Sequence, residues 1–339
     1  MRRSLLTVVL CVTRAAAQGS GPVGTLVASN MNDNTATVID AGSGRVLATL
    51  PTGEGPHEVA ISRSGRFAAV SNYGVRGKPG NTITVIDLAS LTISRTLTLT
   101  GYQRPHGMAF FPGDTMLAVT SETSQAILFV DFRDGRIITT RHSNGRSPHM
   151  VAMSANGERL FTGNIGDGTV AELGPSPDDS ARLTKVGRQP EGIAVSPDGT
   201  TVWAGSNRDS VVMVVDTRRG VATDTLRGFG LPYRMAVTPD NKLAIVTDPM
   251  RAEIRVFGAT DRKPKFTISV PRDSLVATAE VSGSPSPEGI AVSRDSRWAF
   301  VTLQGRNRVI SIDLEHGTIR NYAPTGNWSD GVGFSPLKR

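Results

Sequence analysis

Cysteine is nearly absent from this chain of 339 residues, which contains only Cys11. One cysteine cannot form an intramolecular disulfide, and it supplies no pair of thiols for a thioether-linked haem. Cys11 also lies in residues 1–17, which we predict to be removed as a signal peptide. The mature chain would then contain no thiol nucleophile, and chemistry that depends on cysteine is excluded for it.

Several motifs that identify a catalytic class are also missing. The sequence contains no GxSxG elbow, no glycine-rich loop ending in Lys-Ser or Lys-Thr, no HExxH pair and no calcium-loop spacing. A large surplus of charge of one sign is missing too. The net charge of +7 is small for a chain of this length, so we expect no nucleic-acid partner.

The first residues have the order of a secretory signal peptide. Arg2 and Arg3 precede an apolar run at 5–12, and small residues follow up to Ala17. The run is too short to span a bilayer, so we expect no transmembrane segment. We predict that residues 1–17 are removed and that residues 18–339 act in the periplasm or outside the cell. The loss of three arginines and no acidic residue reduces the net charge from +7 to +4.

A repeated pattern occupies the rest of the chain. Six decapeptides begin with Pro and run through a short apolar segment to a turn: PHEVAISRSG at 56, PHGMAFFPGD at 105, PHMVAMSANG at 148, PEGIAVSPDG at 190, PYRMAVTPDN at 232 and PEGIAVSRDS at 287. A seventh, SDGVGFSPLK at 329, has Ser in place of Pro. The intervals are 49, 43, 42, 42, 55 and 42 residues. A period near 42 residues is typical of four-stranded propeller blades or of helical repeats.

The residues between the copies decide between these two architectures. Runs such as TVWAGSN, TITVIDL and RVISIDL are rich in β-branched residues and are broken by Gly, Asp and Asn turns. Each unit is therefore predicted to be a blade of four antiparallel strands. Small residues recur in the predicted first strands, where wedge-shaped blades would converge on a central axis: Ala60, Ala109, Ala152, Ala194, Ala236, Ala291 and Gly333.

The two ends of the chain are predicted to share one blade. The last copy, at Ser329, has room for a first strand only, whereas residues 25–51 contain three strand-like runs that no copy precedes. The sequence therefore predicts an all-β fold, a single seven-bladed β-propeller closed by the N- and C-terminal strands. Closure leaves no sheet edge for another chain to extend, so we expect a monomer.

The segments IAVSPDG at 193–199 and MAVTPD at 235–240, with the V-S-N and V-I-D runs of such units, resemble YVTN-type β-propeller repeats. The resemblance covers essentially the whole of residues 18–339, although the tetrapeptide that names the family is absent. It implies the propeller fold. It specifies little about activity, because similar propellers are surface-layer proteins, lactonases, a streptogramin lyase and subunits of redox enzymes.

The residue after each repeated Pro is predicted to lie at the mouth of the central channel. In an up-and-down blade, the connection into the first strand is on the same face as the loop between the second and third strands. Seven such residues would form a ring: His57, His106, His149, Glu191, Tyr233, Glu288 and Asp330. Nearby arginines extend the predicted ligand-binding set: Arg104, Arg146 and Arg234.

Both insertions into the repeat fall on this predicted face, at residues 73–81 and 270–286. Long loops on one face of a rigid scaffold commonly carry binding sites. The sequence therefore predicts a module that binds a small molecule or a protein partner at the channel mouth.

The chemistry of the ring stays open among several alternatives. His57, His106 and His149 on successive blades can hold a divalent metal ion with an open coordination position. Histidines and carboxylates together can supply the general base and the carbonyl-polarising group of a lactonase-like or lyase-like enzyme, with or without that metal. The histidines can also be ordinary repeat residues that bond the adjoining loop. A subunit of a redox enzyme would need a cofactor held elsewhere or non-covalently.

Overall fold

The strands of this protein form seven four-stranded antiparallel sheets, which confirms the predicted seven-bladed propeller. The computed structural model describes residues 21–174, 179–272 and 283–339. The predicted signal peptide, residues 1–17, lies outside them. Among the described residues the helical element is one 3-10 turn, Gln304–Arg306, and no helix is long and apolar enough to cross a membrane.

The strands of each blade follow one another outwards from the channel. The first strands are β4 (Pro56–Ile61), β8 (Pro105–Phe110), β12 (Pro148–Met153), β16 (Pro190–Val195), β20 (Met235–Val237), β24 (Pro287–Val292) and β28 (Ser329–Ser335). The second strands are β5 (Phe67–Val75), β9 (Met116–Ser121), β13 (Leu160–Asn164), β17 (Thr201–Ser206), β21 (Leu243–Asp248), β25 (Trp298–Leu303) and β1 (Thr25–Asn30). The third strands are β6 (Lys78–Asp87), β10 (Ala126–Asp131), β14 (Thr169–Leu173), β18 (Val211–Asp216), β22 (Glu253–Gly258), β26 (Arg308–Asp313) and β2 (Thr35–Asp40). The fourth strands are β7 (Thr92–Thr98), β11 (Ile137–Arg141), β15 (Arg182–Lys185), β19 (Val221–Leu226), β23 (Pro264–Ser269), β27 (Thr318–Pro324) and β3 (Val46–Pro51).

The ring closes through the two ends of the chain, as predicted. β28 pairs antiparallel with β1, with Thr25 opposite Ser335 and Val27 opposite Gly333. The seventh sheet therefore has the order β28-β1-β2-β3. Each first strand contacts the first strands of both neighbouring blades, and β28 contacts β4 of the first blade.

The hydrophobic core consists of seven layers, each packed between two consecutive blades. One layer joins Ile83 and Leu97 of the first blade to Leu117 and Leu128 of the second. Equivalent clusters follow around the ring up to the layer between the seventh and first blades. Both faces of every second and third strand are covered in this way, which explains their almost uninterrupted apolar sequences.

The first strands approach one another very closely two residues after each repeated Pro or Ser. A Cβ atom on Gly192 would lie 2.1 Å from the Tyr233 carbonyl oxygen, and one on Gly289 would lie 2.1 Å from the Asp330 carbonyl oxygen. Four blades have glycine at this position, and the other three carry Glu58, Met150 and Arg234. Glu58 and Arg234 meet across the axis, whereas Met150 packs against the hydrophobic layer between the third and fourth blades.

Second-strand hydroxyl groups anchor the ring residues of the next blade. Thr120 donates to the His149 carbonyl oxygen at 2.6 Å, Thr247 to that of Glu288 at 2.9 Å, and Thr302 to that of Asp330 at 2.7 Å. The fifth blade departs from the predicted pattern, because its first strand begins only at Met235. Tyr233 and Arg234 precede that strand.

Candidate functional site

The seven ring residues lie together around the axis, but they are packed into the disc instead of standing open at its mouth. Six of them have no more than 8% of their surface exposed: His106, His149, Glu191, Tyr233, Glu288 and Asp330. His57 is half-buried, with 17% of its side chain exposed. His57 is therefore the ring residue that solvent reaches most readily.

Three imidazoles form a row that has a carboxylate at each end. The ring centroids of His57 and His106 are 5.3 Å apart, and those of His106 and His149 are 3.7 Å apart. His57 Nδ1 lies 2.9 Å from Asp330 Oδ2, and His149 Nε2 lies 2.7 Å from Glu191 Oε1. The two outer histidines are thus oriented by carboxylates of the neighbouring blades, and His106 is held between them.

His106 and His149 are neighbours in this row, but they differ in protonation state. Burial and the nearby positive charges of His149 and Arg234 hold the pKa of His106 well below its usual value of 6.5, so His106 is neutral. Burial also disfavours the charged form of His149, but Glu191 and Glu122 outweigh it and raise the pKa of His149 to about 9. His149 is therefore an imidazolium at neutral pH.

Arg234 closes the channel just beneath the ring. Its Nη2 lies 2.7 Å from Glu58 Oε1, and its Nη1 lies 3.0 Å from Glu191 Oε1. Glu58 belongs to the first blade and Glu191 to the fourth, so this guanidinium spans the axis with only 4% of its side chain exposed. Burial alone would raise the pKa of Glu191, but His149 and Arg234 hold that pKa well below its usual range.

Tyr233 and Glu288 complete the ring on its far side. Glu288 accepts hydrogen bonds from Ser286 Oγ at 2.7 Å and from Gln304 Nε2 at 2.6 Å. Burial, with the charge of Glu288 as the next cause, raises the pKa of Tyr233 well above 10. The Arg234 guanidinium carbon lies 4.6 Å from the centroid of the Tyr233 ring.

Tyr73, Glu122 and Glu58 belong to the site although sequence reasoning did not select them. The Tyr73 hydroxyl donates to Glu122 Oε2 at 2.6 Å, and that oxygen lies 3.7 Å from His149 Nδ1. The sequence could have pointed to Tyr73, because it is the first residue of the insertion at 73–81. The sequence also distinguishes Glu58, because this residue occupies a position where four other blades have glycine.

The arginines of the predicted set separate into different environments. The Arg104 guanidinium carbon lies 4.6 Å from the Tyr73 ring centroid at the rim of the site, and its Nη2 donates to the Val75 carbonyl oxygen at 3.0 Å. Arg234 lies in the channel. Arg146 is exposed, and its Nη2 donates to the Gly166 carbonyl oxygen at 2.8 Å.

A cavity of about 490 Å³ opens on this face beside His57. The first insertion forms its wall as an extension of the β5–β6 hairpin, in which Val75 pairs with Lys78. His57 and Arg104 line the cavity together with hairpin residues Tyr73 to Arg76 and with Met31 and Asn32 of the seventh blade. The second insertion falls largely outside the described residues, at 273–282.

The metal-binding potential of the described residues lies elsewhere. Asp313, Glu315 and His316 are the one group, within those residues, whose possible ligand atoms all lie within 4.8 Å of one another. Asp313 also accepts hydrogen bonds from the backbone N–H groups of Glu315 and His316, so the group is a turn at the end of β26. The rings of His57, His106 and His149 instead lie side by side in tilted contact, and the outer two already bond carboxylates.

Comparison with known proteins supports the architecture. No protein-family model and no curated protein matches the chain. Kuenenia stuttgartiensis hydrazine synthase is 18% identical, with a TM-score of 0.67 over 81% of this chain and 88% of that one. A functionally unknown protein from Desulfotomaculum acetoxidans DSM 771 is 12% identical, with a TM-score of 0.73 over 92% and 99%. Dihydro-heme d1 dehydrogenase NirN in complex with DHE is 14% identical, with a TM-score of 0.62 over 94% and 76%.

Likeness at these identities shows the seven-bladed β-propeller fold alone, because one fold carries many functions. The chain is thus a seven-bladed propeller, and the resemblance to YVTN-type repeats stays a prediction.

We expect the His149–Glu191 contact to make stability fall at alkaline pH. The folded-state pKa of His149, about 9, exceeds the ordinary value of 6.5, so its stabilisation is full below pH 6.5 and is lost as the pH rises through 9. The loss is on the order of 3 kcal/mol. Chemical denaturation of wild type and His149→Gln between pH 6.5 and 9.5 should show this slope in wild type only. Exposed His142→Gln should keep it, and a slope unchanged in His149→Gln would contradict the assignment.

Replacing Arg234 should destabilise the fold strongly. In Arg234→Met, Glu58 loses its buried partner, and we expect a loss of about 3–5 kcal/mol in unfolding free energy. Neutralising that carboxylate in the double variant Arg234→Met/Glu58→Gln should recover part of the loss. Denaturation curves of both variants measure this, and a loss below about 1 kcal/mol in the single variant would show that the contact is not a buried ion pair.

Proposed function

We propose that this chain is an exported propeller that binds a small anionic organic molecule in the cavity beside His57. The observation that carries the proposal is the meeting of three sequence features in one place. The insertion at 73–81, the ring histidine of the first blade and Arg104 line a single cavity of about 490 Å³. Cavities of this size are typical of small-molecule sites.

The charges at the cavity favour an anion. Arg76 and Arg104 both line it, and no carboxylate lines it among the residues that the structure describes. Arg104 is positioned by Tyr73 and by the Val75 carbonyl oxygen, neither of which neutralises its charge. Arginine binds carboxylate and phosphate groups through paired N–H donors, so a ligand with one or more carboxylates fits this lining.

The surroundings of His57 favour a ligand that also has a flat or apolar part. The ring centroids of His57 and Tyr73 are 4.6 Å apart at an interplanar angle of 66°. Tyr73 is fixed by its hydrogen bond to Glu122, so the two rings form a rigid corner. A rigid aromatic surface contributes contact area with little loss of side-chain entropy on binding.

Export is part of the proposal and rests on the sequence. Residues 1–17 have the charged, apolar and small-residue order of a signal peptide. The mature chain would then sample small anions outside the cytoplasm.

A second function, hydrolysis of a lactone or similar cyclic ester, is favoured by the His57–Asp330 contact. When Asp330 accepts the Nδ1 proton at 2.9 Å, Nε2 is the basic nitrogen of His57. That nitrogen can take a proton from water as the water oxygen bonds to the ester carbonyl carbon. The ring C–O bond then breaks, and the proton passes to the leaving oxygen to give a hydroxy acid. Arg104 can polarise the carbonyl group.

Binding is tested with citrate and phthalate as probes, by titration calorimetry on the mature chain. We expect both to bind, and we expect Arg76→Gln/Arg104→Gln to lose at least about tenfold in affinity, because it removes charge-assisted hydrogen bonds. Arg146→Gln is the matched control, since it removes an exposed arginine outside the cavity. Absence of binding of either probe, or equal affinity in the double variant, would overturn the proposal.

Hydrolysis is tested with dihydrocoumarin, whose opening is followed by absorbance. If His57 is the base, His57→Gln should lose about a hundredfold or more in turnover while still binding phthalate. The exposed His142→Gln serves as control. Wild-type turnover no faster than the uncatalysed rate would remove the enzyme alternative and leave the binding function standing.

A further inference from the structure

We propose that the opposite end of the central channel is a second binding site, for a small aliphatic molecule with one anionic group. A cavity of about 320 Å³ opens there, at the ends of the first strands. Its walls come from five of the seven blades. The residues that form them follow the ring residues along the same strands and include Ile61, Met108, Ala109, Met153, Val292 and Phe334.

The side chains that line this cavity are more exposed than most of the ring residues. Met108, Met153, Val292 and Phe334 are all half-buried, although they lie on the innermost strands of the propeller. Apolar side chains at the centre of a fold are normally covered completely. A concave surface that exposes apolar side chains beside polar groups is found at small-ligand sites, and the volume is at the lower end of their range.

This cavity is separate from the one beside His57. Arg234, Glu58 and Glu191 join three blades across the axis between the two channel ends. Gly192 and Gly289 mark the same level, where the backbones of neighbouring blades leave no space for a Cβ atom. A molecule that enters from the second face therefore stops at this level.

Two arginines supply the recognition of an anion. Arg63 and Arg294 line the mouth of the cavity and are exposed. Arg294, in the sixth blade, donates through Nη2 to the Arg63 carbonyl oxygen in the first blade, so its side chain extends across the mouth past the seventh.

The guanidinium groups keep their positive charge free for a ligand. Arg63 Nε donates to the Phe110 carbonyl oxygen at 3.4 Å, and neither arginine side chain pairs with a carboxylate among the described residues. The nearby Asp114 is bonded to the backbone N–H groups of Arg63 and Ser64. A cavity with apolar side chains on its walls and an unneutralised cationic rim fits an aliphatic chain that ends in a carboxylate.

Octanoate is the probe, and calorimetry on the mature chain is the measurement. We expect octanoate to bind, and Arg63→Gln/Arg294→Gln to weaken its binding by about tenfold or more, because the charged hydrogen bonds to the carboxylate are lost. Octan-1-ol, which has the same tail and no charge, should bind both proteins equally. Equal octanoate affinity in wild type and the double variant would overturn the anionic class.

The location is tested by filling the cavity. Ala109→Phe should abolish octanoate binding and leave citrate binding at the other face unchanged. Val292→Phe fills the same cavity from the sixth blade and replaces the first variant if that one fails to fold, as judged by its thermal transition. Octanoate binding retained in a folded cavity-filling variant, or displaced by citrate, would place octanoate elsewhere and overturn the proposal.

Discussion

The close approach of seven first strands at the channel axis determines most of what this molecule can do. At the level just below the ring, four blades have room for glycine only, as the 2.1 Å approach at Gly192 shows. The remaining blades carry Glu58, Met150 and Arg234, and two of these are charged. A charge at the axis of a closed disc is tolerated when it is paired, and Arg234 meets Glu58 and Glu191 from opposite sides. The ion pairs and the glycine backbones together divide the channel into two ends.

The fold could be predicted from sequence because it is periodic and local. The spacing of about 42 residues, the β-branched runs and the unfinished last copy at Ser329 each reflect one blade, and a blade repeats the same strand pattern. The predicted first strand failed in the fifth blade only, where β20 begins at Met235. The reason is not periodic: Tyr233 and Arg234 are larger than the residues at equivalent positions in most blades, and their side chains occupy the axis.

The position of the candidate site could be predicted from sequence, but the ring contacts and protonation states of its residues could not. Sequence placed His57, His106 and His149 at one repeated position, and the structure does bring them together. The sequence could not show that these rings contact one another, because that contact depends on the distance between blades. Nor could it show that His106 is neutral while His149 is charged. That difference arises from Glu122 and Glu191, which lie beside one ring and not the other.

The position of the histidine row also decides which imidazole borders the cavity. His106 has an unprotonated imidazole, which is the form that a general base needs, but only 2% of its surface is exposed and His57 and Tyr73 pack against it. A substrate in the cavity cannot contact it. His57 borders the cavity and is oriented by Asp330. Of the three histidines, His57 is therefore the one that a molecule in this cavity can contact. Three copies of one residue thus present a single imidazole to the cavity, since the other two are buried behind it.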